Sequence, residues 1–343
     1  MHNPVVNPIM VEVKRGDAVE SYHRGSAAIV NCSGEITASW GDINTPVYPR
    51  SSIKSMQAIP LVETGAADHF AVSDRELSIA CSSHSSEKFH TDTIYGWLCR
   101  LGLTVSDLEC GATGSIEKTT HEKLIFNNVK LTAIHNNCSG KHSGFLTTAL
   151  YKNETTANYV GAGHPVQKRI FNVIQELCDT DLKNAPAGVD GCGIPVIAIP
   201  LFAMAFGFAN MANPIKLTSS RSQAVKRILN AIVSNPMMIA GHRRFDTSVI
   251  EACSEVKKGP VILKTGAEGV YGAVLPFLGL GIALKIDDGA LRASEVAMAS
   301  ILHSLGVFEG LNKRVIRDFR ESIIMNASGN NVGVISATDC LRF

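Results

Sequence analysis

Hydrophobic and polar positions alternate where the chain begins. Ile9-Met10-Val11-Glu12-Val13-Lys14 reads as a strand, Arg15-Gly16-Asp17 as a turn, and alternation resumes from Val19 through Val30. Ser33-Gly34-Glu35 then turns into a third strand, Ile36 to Trp40, so an antiparallel meander opens the fold. From about Ser51 the apolar spacing becomes helical, broken by Pro60. Ser73-Asp74 signals a helix over Arg75 to Ala80, and Ser86-Glu87 another through Phe89, Ile94, Trp97 and Leu98. Helical spacing recurs over 138–152 and over 165–178, the latter at Val166, Ile170, Val173, Ile174 and Leu177 behind a proline start. It continues at about 200–211, 221–233 and 236–252. Residues 260–264, 269–276 and 279–286 read as three strands joined by Gly-rich turns, and a long helix at about 290–305 precedes a short tail. No internal repeat or low-complexity linker interrupts this order.

Strands at both ends around a helical stretch predict an α/β (α+β) chain. One antiparallel sheet is built from both termini and flanked by helices, beside an all-helical subdomain. The 343 residues are expected to form a single domain, with 1–50 and 255–343 in the sheet part and about 51–254 mostly helical. A hydrophobic fraction of 45% suffices for a sizeable core. The net charge of +1, from 32 basic and 31 acidic residues, argues against nucleic acid and membrane surfaces as partners. Met1-His2-Asn3-Pro4 has neither the basic region nor the apolar run of a signal peptide, so a cytoplasmic location is expected. The cysteines number 9, odd and irregularly spaced, which favours reduced thiols over a disulfide framework.

Candidate chemistry centres on Tyr48-Pro49-Arg50-Ser51-Ser52-Ile53-Lys54. Ser51 and Lys54 are one helical turn apart, so hydroxyl and amine share a face. A serine attacks poorly until its proton is removed, and lysine removes it only where desolvation or a neighbouring cation favours the neutral amine. Cys81-Ser82-Ser83-His84-Ser85 follows, and Val261-Ile262-Leu263-Lys264-Thr265-Gly266 lies far downstream on a strand-like run. Ser-x-x-Lys, a serine-rich turn and Lys-Thr-Gly stand in the order of the motifs of serine β-lactamases and penicillin-binding proteins. Ser83-His84-Ser85 replaces their Ser-Asp-Asn, which points to a different substrate on the same scaffold.

A second constellation is Ile134-His135-Asn136-Asn137-Cys138-Ser139-Gly140-Lys141-His142, with Val189-Asp190-Gly191-Cys192-Gly193 further on. Cys138 and Lys141 are one turn apart at a helix start, and two thiolates favour zinc over magnesium or calcium. The competing reading is that the cysteines simply pack, since lysine is a rare ligand whose amine must be neutral.

Tyr-Pro-Arg-Ser-Ser-x-Lys, Cys-x-Ser-His-Ser, His-Asn-Asn-Cys-Ser-Gly-Lys-His and Gly-Val-Asp-Gly-Cys-Gly-Ile-Pro together closely resemble the rhizobial-type (class 3, Rhizobium etli type) L-asparaginases. The resemblance implies a serine β-lactamase-like fold, a homodimer, and hydrolysis of L-asparagine to L-aspartate and ammonia. It carries two serine–lysine tandems onto Ser51 with Lys54 and Ser83 with Lys264. It also carries one zinc per chain, supporting substrate binding, onto Cys138, Lys141 and Cys192, with Asp190 near a metal-bound water. By analogy with β-lactamases, backbone N–H groups of Ser51 and Ala267 are expected to hold the oxyanion, and Arg50 is expected to pair with the substrate carboxylate. Ser51 is ranked above Ser83 as nucleophile on the same analogy. Thr91-Asp92-Thr93 is similar to a motif of the common bacterial asparaginases, but their Thr-Gly-Gly-Thr counterpart is missing and the tripeptide falls in a helical pattern. Glutaminase on the same fold is the first alternative, since one methylene separates the substrates. A β-lactam hydrolase and a catalytically inactive zinc-binding protein follow.

Overall fold

The computed structural model describes residues 6–343, which divide into two compact units. The first takes the chain up to Ser52, with Ile199–Asn213 and Val249–Phe343; the second comprises Ile53–Ala198 and Pro214–Ser248. The helix expected at about 200–211 therefore goes with the sheet and not with the other helices.

The first unit is built on an eight-stranded antiparallel sheet. Its strands are β1 (Ile9–Arg15), β2 (Ala18–Asn31), β3 (Ile36–Trp40), β4 (Ile262–Thr265), β5 (Val270–Leu275), β6 (Leu280–Ile286), β7 (Glu321–Met325) and β8 (Asn331–Ala337). They run in the order β7-β8-β1-β2-β6-β5-β4, with β3 also paired to β2. β2 links the two halves: it pairs with β1 through Ala18–Arg24 and with β6 through Gly25–Asn31. Its burial changes at the same place, from alternating residues to the continuous buried run Gly25–Val30. Such a run requires cover on both faces. The helices Leu201–Ala212 and Leu291–Ser304 supply it, the former against β2, β5 and β6. Helix Leu201–Ala212 is apolar nearly all round and approaches so closely that a Cβ on Gly281 would lie 2.2 Å from the Ala205 carbonyl oxygen.

The predicted meander and the three later strands form as expected. The short tail does not. It holds helix Lys313–Arg320 and the edge pair β7–β8, which brings the C-terminus alongside β1. Most residues of β7 are exposed and its apolar run is brief, so alternation gives a weak signal there.

The second unit is helical. Ser73 begins helix Asp74–Ala80 with a capping box: its Oγ accepts from the Glu76 N–H at 3.3 Å, and Glu76 accepts from the Ser73 N–H at 2.9 Å. Helix Ser139–Tyr151 is buried from Ser139 through Ala149. A Cβ on Gly140 would meet the Ile79 carbonyl oxygen at 2.3 Å, so glycine is what lets it pack against helix Asp74–Ala80. The predicted helix at 236–252 is two, Pro236–Ile239 and Phe245–Glu255. Gly241 parts them at φ +106°, where a Cβ would sit 2.3 Å from a Glu87 carboxylate oxygen.

Candidate active site

In the first unit, Arg50–Ile53 forms a tight 3₁₀ turn, not the first turn of an α-helix, and runs on along the chain into helix Lys54–Gln57. Pro60 lies in the first turn of the next helix, Ile59–Glu63, which is why it does not break the pattern where it stands. Arg50 is held at φ +49°, a left-handed conformation that costs a residue with a Cβ roughly 1–2 kcal/mol. Ser51, directly after it, is half-buried. Ser52 is wholly buried and donates from Oγ to the Pro49 carbonyl at 2.6 Å, closing the turn. Strand β4 delivers Lys264, Thr265 and Gly266 to the same turn: a Cβ on Gly266 would be 2.9 Å from the Pro49 carbonyl oxygen and 3.3 Å from the Ser52 nitrogen. Lys264 is buried and donates to the Thr265 carbonyl at 2.6 Å. Ala267 is exposed in the turn that follows. Arg50 lines a cavity of about 640 Å³ together with Asp42, Tyr48, Glu268, Lys285 and Asp287.

In the second unit, Lys54 has no solvent exposure. Its Nζ donates to the Ser82 carbonyl and lies 3.1 Å from Ser83 Oγ. Ser83 is held by its own backbone. The Ser83 and Ser85 N–H groups donate to the Ile239 and Ala240 carbonyls at 3.0 and 2.9 Å, so the Ser82–Ser86 stretch is fixed without belonging to a helix or strand. Of the two predicted tandems, Ser51 and Lys264 belong to the first unit and Lys54 and Ser83 to the second. The serine and lysine joined inside one unit are Ser83 and Lys54.

Cys138 and Lys141 open the buried helix Ser139–Tyr151, and Cys192 tips a hairpin formed by Ala187–Val189 and Pro195–Ile197. The hairpin closes through Asp190 and Gly193, the latter at φ +88° with its N–H on the Asp190 carbonyl at 2.8 Å. Lys141 Nζ lies 3.1 Å from Cys192 Sγ. A hydrogen bond from Cys192 holds the Cys138 thiol well below its ordinary pKa against the opposing effect of burial, and Lys54 and Lys141 act in the same direction. Burial disfavours the charged form of Lys141, yet the Cys192 and Cys138 sulfurs and Asp190 hold its pKa above the usual lysine value. Two sulfurs and an amine nitrogen suit a borderline-soft cation such as zinc. Among the described residues His, Cys, Asp and Glu side chains alone do not gather in threes as metal ligands.

Several neighbours carry no motif of their own. His84 is buried beside Ser83; its Nδ1 accepts from the Ser86 N–H at 3.1 Å, so its Nε2–H faces Ser139 Oγ at 2.9 Å. Burial, with His90 and Lys54 nearby, holds it neutral with a pKa far below the ordinary histidine value. His142 Nδ1 accepts from the Tyr159 hydroxyl at 2.7 Å, which itself accepts from the Glu109 N–H at 2.8 Å. Its Nε2 is buried with no hydrogen-bond partner among the described residues. Arg244, at the start of helix Phe245–Glu255, has its Nη1 3.4 Å from the Ser83 carbonyl oxygen and 3.5 Å from Ser85 Oγ. Nothing in its sequence surroundings marks it.

The family model described as L-asparaginase II matches residues 11–337. No curated protein matches the chain. Among solved structures, Mglu in its native form is similar at a TM-score of 0.47 and 11% identity, over 84% of this chain and 66% of that one, so the chain spans about two thirds of its length. A β-lactamase from Mycobacterium bovis is similar at a TM-score of 0.41 and 9% identity, over 81% of this chain and 94% of that one. D-alanine carboxypeptidase AmpC from Burkholderia cenocepacia is similar at 0.38 and 14%, over 79% and 90%.

Proposed function

The chain belongs to the L-asparaginase II family, and from that premise we propose that it is an L-asparaginase of the rhizobial type, releasing ammonia from L-asparagine by serine–lysine chemistry. The observation that carries the chemistry is the 3.1 Å approach of the fully buried Lys54 Nζ to Ser83 Oγ. A lysine shut away from water beside a serine hydroxyl is the arrangement a proton relay needs. Ser51 is the nucleophile in this reading. It is half-buried where Ser83 is 5% exposed, and it directly follows the strained Arg50.

Ser51 Oγ attacks the side-chain amide carbon while its proton passes to the Lys54 amine. The C–O bond forms and the carbonyl becomes an oxyanion, held by the Ser51 and Ala267 N–H groups. The Lys54 ammonium returns the proton to the leaving nitrogen, the C–N bond breaks, and ammonia departs from an aspartyl ester. Water then attacks the ester, giving its proton to Lys54, and serine recovers its own as L-aspartate leaves. Ser83 and Lys264 complete the proton path, and Arg50 and Asp190 face the amino-acid end of the substrate.

Cys138, Lys141 and Cys192 would hold one zinc ion per chain; bound there, it supplies a Lewis-acidic anchor for the substrate. The protein in this reading is a cytoplasmic homodimer acting on a free amino acid. Ammonia release is measured with L-asparagine and L-glutamine at matched concentrations, for the unaltered chain and for Ser51→Ala and Ser83→Ala. Asparagine turnover abolished by Ser51→Ala supports the reading. Full turnover in Ser51→Ala removes Ser51 as nucleophile, and no ammonia from the unaltered chain removes the activity.

A further inference from the structure

We infer that Arg244, rather than the Arg50 expected from the sequence, binds the α-carboxylate of the amino-acid substrate, an inference that rests on the amidohydrolase reading above. Lys54 is fully buried and meets the Ser82 carbonyl, the Ser83 hydroxyl and the Cys138 thiol, whose pKa it helps to lower. Arg244 stands on the other side of Ser83, near the Ser83 carbonyl and Ser85 Oγ. Among the described residues neither cation has a carboxylate within ion-pair reach. Four other arginines of this unit pair with carboxylates, Arg100 with Glu76, Arg169 with Glu154, Arg221 with Glu63 and Arg227 with Asp68, while Arg75 and Arg243 bond to hydroxyls and, for Arg75, the Phe89 carbonyl.

Arg244, a basic side chain beside Ser83 without a carboxylate partner, is placed to receive an anion. Histidine adds no competing charge, because His84 is held neutral with both ring nitrogens engaged. The contacts of Arg244 to Ser83 and Ser85, at 3.4 and 3.5 Å, lie at the outer edge of hydrogen bonding. They leave most of the guanidinium's five donors unused, and a planar fork of that kind matches a carboxylate in two parallel bonds. The side-chain amide being hydrolysed is neutral, so the α-carboxylate is the anion such a substrate offers. The main chain fixes the arginine's origin, since the Ser248 N–H donates to the Arg244 carbonyl at 3.0 Å in the first turn of the helix.

The test compares ligands with and without that group. Calorimetry measures binding of L-aspartate and of β-alanine, which is aspartate without its α-carboxylate, to the full chain and to Arg244→Gln and Arg244→Lys. The inference expects Arg244→Gln to weaken aspartate by about tenfold or more and β-alanine by less than about twofold, with Arg244→Lys intermediate. In turnover the same loss falls on KM for L-asparagine and spares 3-aminopropanamide, the amide lacking the carboxylate. An arginine that only braces the Ser83–Ser85 turn would lower kcat for both amides alike. That result, unchanged aspartate affinity in Arg244→Gln, or no aspartate affinity in the unaltered chain overturns the inference. Ammonia release tests the activity separately: aspartate bound through Arg244 without turnover keeps the inference and removes the asparaginase reading.

Discussion

Gly266→Ala isolates the contact between strand β4 and the serine turn. The added methyl would stand 2.9 Å from the Pro49 carbonyl oxygen, 3.3 Å from the Ser52 nitrogen and 3.3 Å from Val270 Cβ. Its nearest obstacle is backbone, which cannot swing aside as a side-chain tip can. Restoring an ordinary contact means moving the turn or the strand by about half an ångström. Small-to-large changes in packed surroundings cost about 1–3 kcal/mol. The lower half of that range applies, because only one methyl is added and no left-handed glycine is replaced. The kinetic effect follows from displacement: about 1 Å at a reacting group costs on the order of a hundredfold, so half of that costs about tenfold in kcat. Thermal unfolding should show a midpoint lower by a few degrees, and steady-state ammonia release a kcat down by about tenfold. Gly163→Ala is the control, since nothing lies within 4 Å of its added Cβ, and it should leave both unchanged. Wild-type kcat in Gly266→Ala would refute the claim that the close approach of β4 sets the position of Ser51.

Lys54→Met removes a basic partner of Ser83 Oγ, and kcat for ammonia release should fall by at least about a hundredfold with the fold retained by circular dichroism. Burial pushes His90 down to about 4 from 6.5, against the opposing hydrogen bond to the Met237 carbonyl. The unfolded chain thus binds this proton first, so stability is complete above pH 6.5 and falls as pH drops towards 4, by up to about 3 kcal/mol. Urea unfolding at pH 7 and 4.5 should show that loss shrinking in His90→Gln. If zinc occupies the proposed site, elemental analysis should find about one ion per chain, and Cys138→Ser with Cys192→Ser should abolish it. Metal retained in that double variant would exclude the site.

The sheet was legible where alternation is long. β1, β2 and β3 follow the pattern closely, as do helices Pro165–Cys178 and Leu291–Ser304. The edge pair β7–β8 was not, because an exposed edge strand needs few apolar residues. Ser51, Lys54, Ser83 and Lys264 were legible because their motifs are local, as were Cys138 and Lys141. Partnership is another matter: sequence spacing suggests Ser51 for Lys54, while the partner inside the helical unit, Ser83, comes from a stretch placed by bonds to Ile239 and Ala240. The Gly241 break was illegible for the same reason, since its need arises from Glu87 and His90 far away in sequence. Arg244 has no motif at all, only a place.

The helical unit buries a costly set of groups. Lys54, Ser83, His84, Ser139, Lys141 and His142 are each at most 5% exposed, and apolar residues there would serve the core with less desolvation. The unit satisfies some of them thoroughly: His84 is bonded at both nitrogens, and Ser139 passes its own proton to the Ile134 carbonyl at 2.9 Å. It leaves another short, with His142 Nε2 unpartnered among the described residues. A core selected for stability alone would close that gap, since each unmet buried donor costs about 1–3 kcal/mol. The division is informative, because the satisfied groups are scaffold while packing alone does not account for a buried ring nitrogen left unmet. Free energy withheld from the fold at such an atom remains available to a ligand that completes it.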